Sequence, residues 1–174
     1  MKKAVIGMVD SQMQAERVVA SLHQRGFTGN NISVLLPDKQ GTKDFAHEQN
    51  TKAPEGAMAG AGTGGVLGGT LGLLVGIGSL AIPGFGPLIA AGPLLATLSG
   101  AAAGAAVGGL TGALVGMGIP EIEAKAYEGK IKGGNILIAV HVDSSDEKTA
   151  AEDILKTMGA KSVQATAEAS VPAR

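Results

Sequence analysis

The residues able to do chemistry are few. Gly60-Ala61-Gly62-Thr63-Gly64-Gly65 has the form G-x-G-x-x-G, which between a strand and a helix cradles a dinucleotide pyrophosphate on backbone N–H groups. Here it follows a polar stretch instead of a strand, and no acidic residue lies in the stretch that follows to hold a ribose. It is therefore read as a helix-packing surface, and no cofactor is expected. The three histidines, His23, His47 and His141, fall in different predicted elements and cysteine is absent, so neither a metal centre nor thiolate chemistry is expected. His141 and Asp143 alternate onto one face of a strand, which a strand end beside a helix cap explains. Thr63, Thr70, Ser79, Thr97, Ser99 and Thr111 stand in apolar surroundings, where hydroxyls bond carbonyls or neighbouring helices. No catalytic residue is assigned, and a non-enzymatic role is expected.

The stretch that holds most of these residues dominates the chain of 174 residues. From Gly56 to Pro120 there is no charged side chain, and glycines recur every fourth position at Gly56, Gly60, Gly64, Gly68, Gly72 and Gly76, then at Gly100, Gly104, Gly108, Gly112 and Gly116. Residues four apart share a helix face, so each series draws a groove along which another backbone can approach. Glycine costs a helix up to about 1 kcal/mol relative to alanine, so such helices need a compensating environment. Hydrocarbon supplies one, because an unpaired backbone group there costs several kcal/mol and makes helix obligatory. Ala57 to Ala81 as a helix would extend about 37 Å, enough for a hydrocarbon core of about 30 Å. Pro83-Gly84-Phe85-Gly86-Pro87 then reads as the hairpin turn, and a second helix is expected from about Leu94 to Gly118.

On either side lie the elements of a small α+β domain. Lys3–Val9 and Asn31–Leu36 read as strands flanking a helix that opens on Ser11 and Gln14, a capping box, and stops at Arg25-Gly26. After the hairpin, Pro120 opens a short helix to about Tyr127 or Glu128, whose charges suit the boundary of a membrane. Asn135–Val142 is apolar on both faces except for His141, as a central strand is. A second capping box at Ser144 and Glu147 starts a helix that stops at Gly159, and Lys161–Thr166 supplies a last strand. The spacing of Val142-Asp143-Ser144 to Leu155 and Gly159 repeats that of Val9-Asp10-Ser11 to Leu22 and Gly26. The expectation is a ferredoxin-like βαββαβ domain made discontinuously from residues 1–37 and 120–167. A polar linker at 38–55, a helical hairpin at 56–119 between strands 2 and 3, and a tail at 168–174 complete it.

Val9-Asp10-Ser11 through Ala15-Glu16, Leu22, Arg25-Gly26-Phe27 and Ile32-Ser33-Val34-Leu35 resembles the start of bacterial heat-induced general-stress proteins. Ile82-Pro83-Gly84-Phe85-Gly86-Pro87, Ala90-Ala91-Gly92-Pro93-Leu94 and Gly118-Ile119-Pro120-Glu121, with Ala124, Tyr127 and Gly133-Gly134, resembles low-temperature-induced or general-stress membrane proteins. The resemblance implies a stress-responsive bacterial protein and carries no catalytic residue.

A formal net charge of -1 and an aromatic content of 2% leave neither a basic field nor stacking platforms for nucleic acid. The expected function is that of a stress-associated protein whose hairpin is embedded in the lipid bilayer of the bacterial inner membrane, as anchor, modifier or pore. Lys43, Lys52, Lys125, Lys130 and Lys132 flank the hairpin, which places the α+β part in the cytoplasm by the positive-inside rule. Homo-oligomerisation is expected through Gly60, Gly64, Gly68, Gly72 and Gly76 and through Gly100, Gly104, Gly108, Gly112 and Gly116. The alternative is a soluble homo-oligomeric scaffold or ligand-sensing protein with these helices in a shared core.

Overall fold

The computed structural model describes residues 3–37, 77–82, 86–93, 109–112, 114–115 and 118–167. Its elements are β1 (Lys3–Val9), α1 (Gln12–Gln24), β2 (Ile32–Pro37), β3 (Ile77–Ile82), β4 (Gly86–Ala91), α2 (Glu121–Lys132), β5 (Ile136–Val142), α3 (Ser145–Thr157) and β6 (Lys161–Ala167). The strands form one six-stranded sheet in the order β3-β4-β2-β5-β1-β6, with every neighbouring pair antiparallel. The fold class is mixed α+β.

Both capping boxes form. Ser11 Oγ accepts from the N–H of Gln14 at 3.3 Å, and Gln14 Oε1 accepts in return from the N–H of Asp10 at 3.1 Å. Ser144 and Glu147 repeat this at 3.1 Å, with the return bond from the Asp143 N–H at 2.8 Å. Asp143 thus supplies backbone to a helix start, as its position beside the cap implies. The helices also stop alike. At Gly26, Gly118, Gly134 and Gly159 the chain turns through positive φ, and the N–H groups of the glycine and its successor return to carbonyls of the last turn, a Schellman closure.

The sheet is covered on both faces. Ala15, Val18, Val19 and Leu22 of α1 and Ala151 and Leu155 of α3 pack on Val5, Val9, Ile32, Val34, Ile138 and Val140. On the other face Ala124, Tyr127 and Ile131 of α2, with Leu110, Leu114 and Ile119, cover Ile6, Met8, Leu35, Leu137 and Ala139. Tyr127 is therefore a core residue. Helix α2 also runs to Lys132, past the stop expected near Glu128, because burying Ile131 outweighs the propensity cost of Gly129.

The main correction concerns the apolar run. Residues 77–81, expected to end the first long helix, lie in β3, and Gly86 and Pro87 of the expected helical turn begin β4. The two strands form an antiparallel β-hairpin from Ile77↔Ala91 to Ile82↔Gly86, and β4 bonds to β2 from Val34↔Ala91 to Pro37↔Leu88. Pro83 and Gly84 stop a helix, but an apolar strand on each side of a Pro-Gly turn satisfies the backbone by pairing, and the edge of β2 supplies the template. Of the second expected helix, residues 109–112 and 114–115 are helical. The rest of both helices lies outside the described residues, and no helix among those described is long and apolar enough to cross a membrane.

The docking of the β-hairpin is sharpest at Gly92. Its φ is +79, and a Cβ there would lie 2.0 Å from the Ile32 carbonyl oxygen. Backbone crowding of this kind has no rotamer to relieve it. Gly92→Ala is expected to destabilise the protein by about 2 kcal/mol or more, read as a lowered urea midpoint. An unchanged midpoint would mean that the end of β4 does not lie against β2.

Candidate functional site

The site is built where the end of the apolar run meets α2. Leu110 and Leu114, four apart, turn into the sheet and are fully buried. That leaves Thr111, Gly112 and Val115 on the opposite side of the same short helix. Helix α2 follows through Pro120, whose φ of -54 suits a helix entrance. Glu121 and Glu123 in its first turn and Lys130 and Lys132 in its last complement the helix dipole. Its inner face is fixed by Tyr127, whose hydroxyl meets the side-chain amide of Gln164, an amide that also donates to Glu123 at 2.7 Å. Burial pushes the Tyr127 phenol up, with Glu123 adding to the shift against the Gln164 hydrogen bond.

Between the two helices lies an open cleft of about 670 Å³ lined by Thr111, Gly112, Val115, Glu121, Lys125, Glu128, Gly129 and Lys132. Its volume falls in the range of small-molecule sites. Its walls carry two ion pairs at i, i+4 with the acid first, the favourable order: Glu121–Lys125 at 2.6 Å and Glu128–Lys132 at 2.8 Å. Both Glu128 oxygens are engaged: Oε1 by Lys132, Oε2 by the Thr111 backbone N–H at 2.9 Å and by the Thr111 hydroxyl. Burial raises the Glu128 pKa, but the hydrogen bonds from Lys132 and Thr111 outweigh it and hold the carboxyl below its ordinary value. The hydrogen bond and charge of Glu121 raise the Lys125 ammonium, and Lys125 lowers Glu121 in turn. A general acid needs a raised carboxyl, and a nucleophilic lysine a lowered ammonium. These groups are shifted the other way, each by the partner it already holds.

A second polar constellation lies on the same sheet face. Ser33 Oγ of β2 and His141 Nε2 of β5 are 3.0 Å apart, and Ser33 is fully buried. A hydroxyl on an imidazole is the pairing of a nucleophile with its base, but a substrate has no access to an atom buried in the sheet. The two residues are 108 apart in sequence, and only the β2–β5 pairing brings them together.

Of the residues picked out by the glycine spacing, Gly112 lines the cleft opposite Gly129. Gly60, Gly64, Gly68, Gly72, Gly76, Gly100, Gly104, Gly108 and Gly116, with Pro83, Gly84 and Phe85, lie outside the described residues, as does His47. His23 is in α1 and His141 in β5. No group of His, Cys, Asp or Glu able to hold a metal ion occurs among the described residues. The charges of α2 that suit a membrane boundary by sequence instead line this cleft.

Residues 4–81 match the family model of the heat induced stress protein YflT domain, which supports the stress-protein family for this chain. The match runs beyond β2 to within one residue of the end of β3. No curated protein and no solved structure matches the chain.

Because Glu128 titrates below its ordinary value in the folded protein, its contribution is present above the unfolded-state pKa, near 4.5, and is lost as pH falls through the lower folded value. Glu128→Gln is expected to cost about 1–2 kcal/mol at neutral pH, as hydrogen bonds to a charged group do. It should also flatten the decline in stability below about pH 4.5. Urea titrations of both proteins between pH 3 and 7 check this, and parallel pH profiles would contradict it.

Proposed function

We propose that the protein is a stress-associated scaffold without a catalytic step, in which the Gly/Ala-rich residues 56–76 and 94–108 serve as protein-packing surface. The observation that carries this is the bonding of β4 to β2. A hairpin crossing a bilayer would carry residues 83–87 across about 30 Å of hydrocarbon, yet β3 and β4 on either side of them belong to the sheet. Residues 94–108 start beside β2 at Gly92 and end at Leu110 and Leu114, packed on the same sheet. As helix they reach about 22 Å, too little to cross and return. Residues 56–76 as helix reach about 32 Å, one crossing at most, and they too lead back into the sheet at Ile77.

Further support comes from the domain match, which takes in residues 38–76 and nearly all of β3 together with the N-terminal unit. The order β2-β5-β1-β6, with α1 joining β1 to β2 and α3 joining β5 to β6, supports reading the body as ferredoxin-like, extended at one edge by β3 and β4. The polar groups with catalytic potential are committed to structure: Ser33 to His141, Glu128 to Thr111 and Lys132. In this reading the glycine series at Gly60–Gly76 and Gly100–Gly116 pack helices within or between copies.

A second reading keeps residues 56–76 and 94–108 in the bilayer of a bacterial inner membrane, with the body on the cytoplasmic side. It is favoured by the absence of charge from Gly56 to Pro120, and as a spanning hairpin it requires β3 and β4 to leave the sheet. The chain has no cysteine, so a designed pair reports cleanly. Leu36 and Ile89 face each other across β2 and β4, at the Cα separation of about 4.5–5.5 Å that antiparallel partners have and a disulfide accepts. Leu36→Cys with Ile89→Cys is expected to form an intramolecular disulfide on mild oxidation of cells, with the protein released by alkaline carbonate. A reduced pair in a carbonate-resistant membrane fraction would establish the second reading.

A further inference from the structure

The outer face of α2 carries an exposed apolar side chain beside an open position. Ile122 is 86% exposed, the largest exposure among the large apolar side chains described, although α2 buries Ala124, Tyr127 and Ile131 on its inner side. On the same outer face, two turns along, a Cβ at Gly129 would meet none of the described residues within 4 Å. This gap opens onto the cleft that Gly112 and Val115 also line, and Val115 is itself exposed. The molecule thus displays an apolar knob and an empty notch on one helix face.

We propose that the occupant of the notch is Ile122 of a second copy, in a two-fold symmetric, antiparallel α2–α2 dimer. Charge selects this partner. The flank of α2 along the cleft reads Glu121, Lys125, Glu128, Lys132, with acid and base alternating. A two-fold axis passing between Ala126 and Tyr127 sets Glu121 opposite the partner's Lys132 and Lys125 opposite the partner's Glu128, and symmetry repeats both pairs. A two-fold perpendicular to the helix pair keeps these flanks on one side, so both charge pairs form together. The same axis brings Ile122 over the partner's α2 between Gly129 and Gly133, and Ala126 close to its own copy. Knob and hole therefore match in both directions, as an isologous interface requires. A parallel two-fold pair would carry the charged flanks to opposite sides of the helix pair, where none of these charges meets its complement. The interface lies on α2 and not on the long glycine series, and it rests on the scaffold reading only in naming another copy of the chain as partner.

The test is the native mass of the full-length protein by analytical ultracentrifugation across a concentration series. A dimer is expected that weakens on raising salt from 0.05 to 0.5 M, because its charge pairs lie at a solvated rim. Ile122→Ser is expected to raise the dissociation constant about tenfold or more, as loss of a buried branched side chain does. Gly129→Leu fills the notch while improving helix propensity, so it should abolish the dimer and leave the monomer at least as resistant to urea. Two charge variants that keep Glu128 and its bonds to Thr111 complete the set: a more basic chain carrying Glu121→Lys, and a more acidic chain carrying Lys132→Glu. Each alone is expected to be monomeric, and an equimolar mixture to form a heterodimer, which only correctly folded chains with an antiparallel α2 contact can do. An assembly indifferent to Ile122→Ser and Gly129→Leu, or charge variants that fail to pair on mixing, overturns the α2 interface and leaves the scaffold reading standing. A monomer at every concentration overturns the α2 interface and homotypic assembly together.

Discussion

The layering of the molecule depends on β5 being apolar on both faces apart from His141. Ile136, Leu137, Ile138, Ala139, Val140 and Val142 are all buried, and the strand bonds to β1 on one side and β2 on the other. A strand apolar on both faces cannot leave either to water, so the sheet needs a layer above and a layer below. One layer comes from α1 and α3, the two helices of the internal repeat. The repeat holds no third helix for the other face, so α2 and the end of the apolar run are drawn onto it. The positions of the cleft and of its charged walls follow from that requirement.

Covering the second face also sets limits on polarity. Ser33 points into it and is fully buried, and the hydrogen bond with His141 is what makes that tolerable. An unsatisfied hydroxyl in an apolar layer costs on the order of 1–3 kcal/mol. The same logic governs Gln164 and Tyr127 under α2. At the two edges of the sheet the chain behaves differently. β6 carries Lys161 and a bulge opposite Ile6 and Met8, with Ser162 at a φ of 53, features that discourage another strand from adding. On the far side β4 covers the edge that β2 would otherwise present, and β4 is covered in turn by β3.

What was legible in the sequence was what local signals determine. The capping residues Ser11 and Ser144, the stops at Gly26 and Gly159, and the double-sided apolarity of Asn135–Val142 place α1, α3 and β5 directly, because each rests on contacts within a few residues. The β-hairpin was not legible. Ile77–Ile82 and Gly86–Ala91 are short apolar runs, and periodicity alone does not separate a buried strand from a segment of apolar helix. Their choice is made by β2, far away in sequence, which supplies hydrogen-bonding partners that a helix would not use. The cleft was half legible: its charges stood out, but their meaning depends on Tyr127 and Ile131 facing the sheet, a tertiary fact.

Glycine shows the same division most clearly. Counted every fourth residue, the glycines of the middle stretch look alike, and spacing alone assigns them one role. In three dimensions the glycines of this chain divide by what a side chain would strike. At Gly92 it would strike the backbone of β2, and at Gly7 it would press on Leu155 and Ala160 beneath α3, so the residue is glycine because two parts of the chain come close. At Gly129 it would strike none of the described residues, so neither helix propensity nor the described contacts of the monomer account for the choice. A position that costs a helix about 1 kcal/mol and returns no contact with the described residues marks an open surface on α2. Spacing shows where backbones are able to approach. Only the neighbours of each missing Cβ show whether the approaching group belongs to the same molecule.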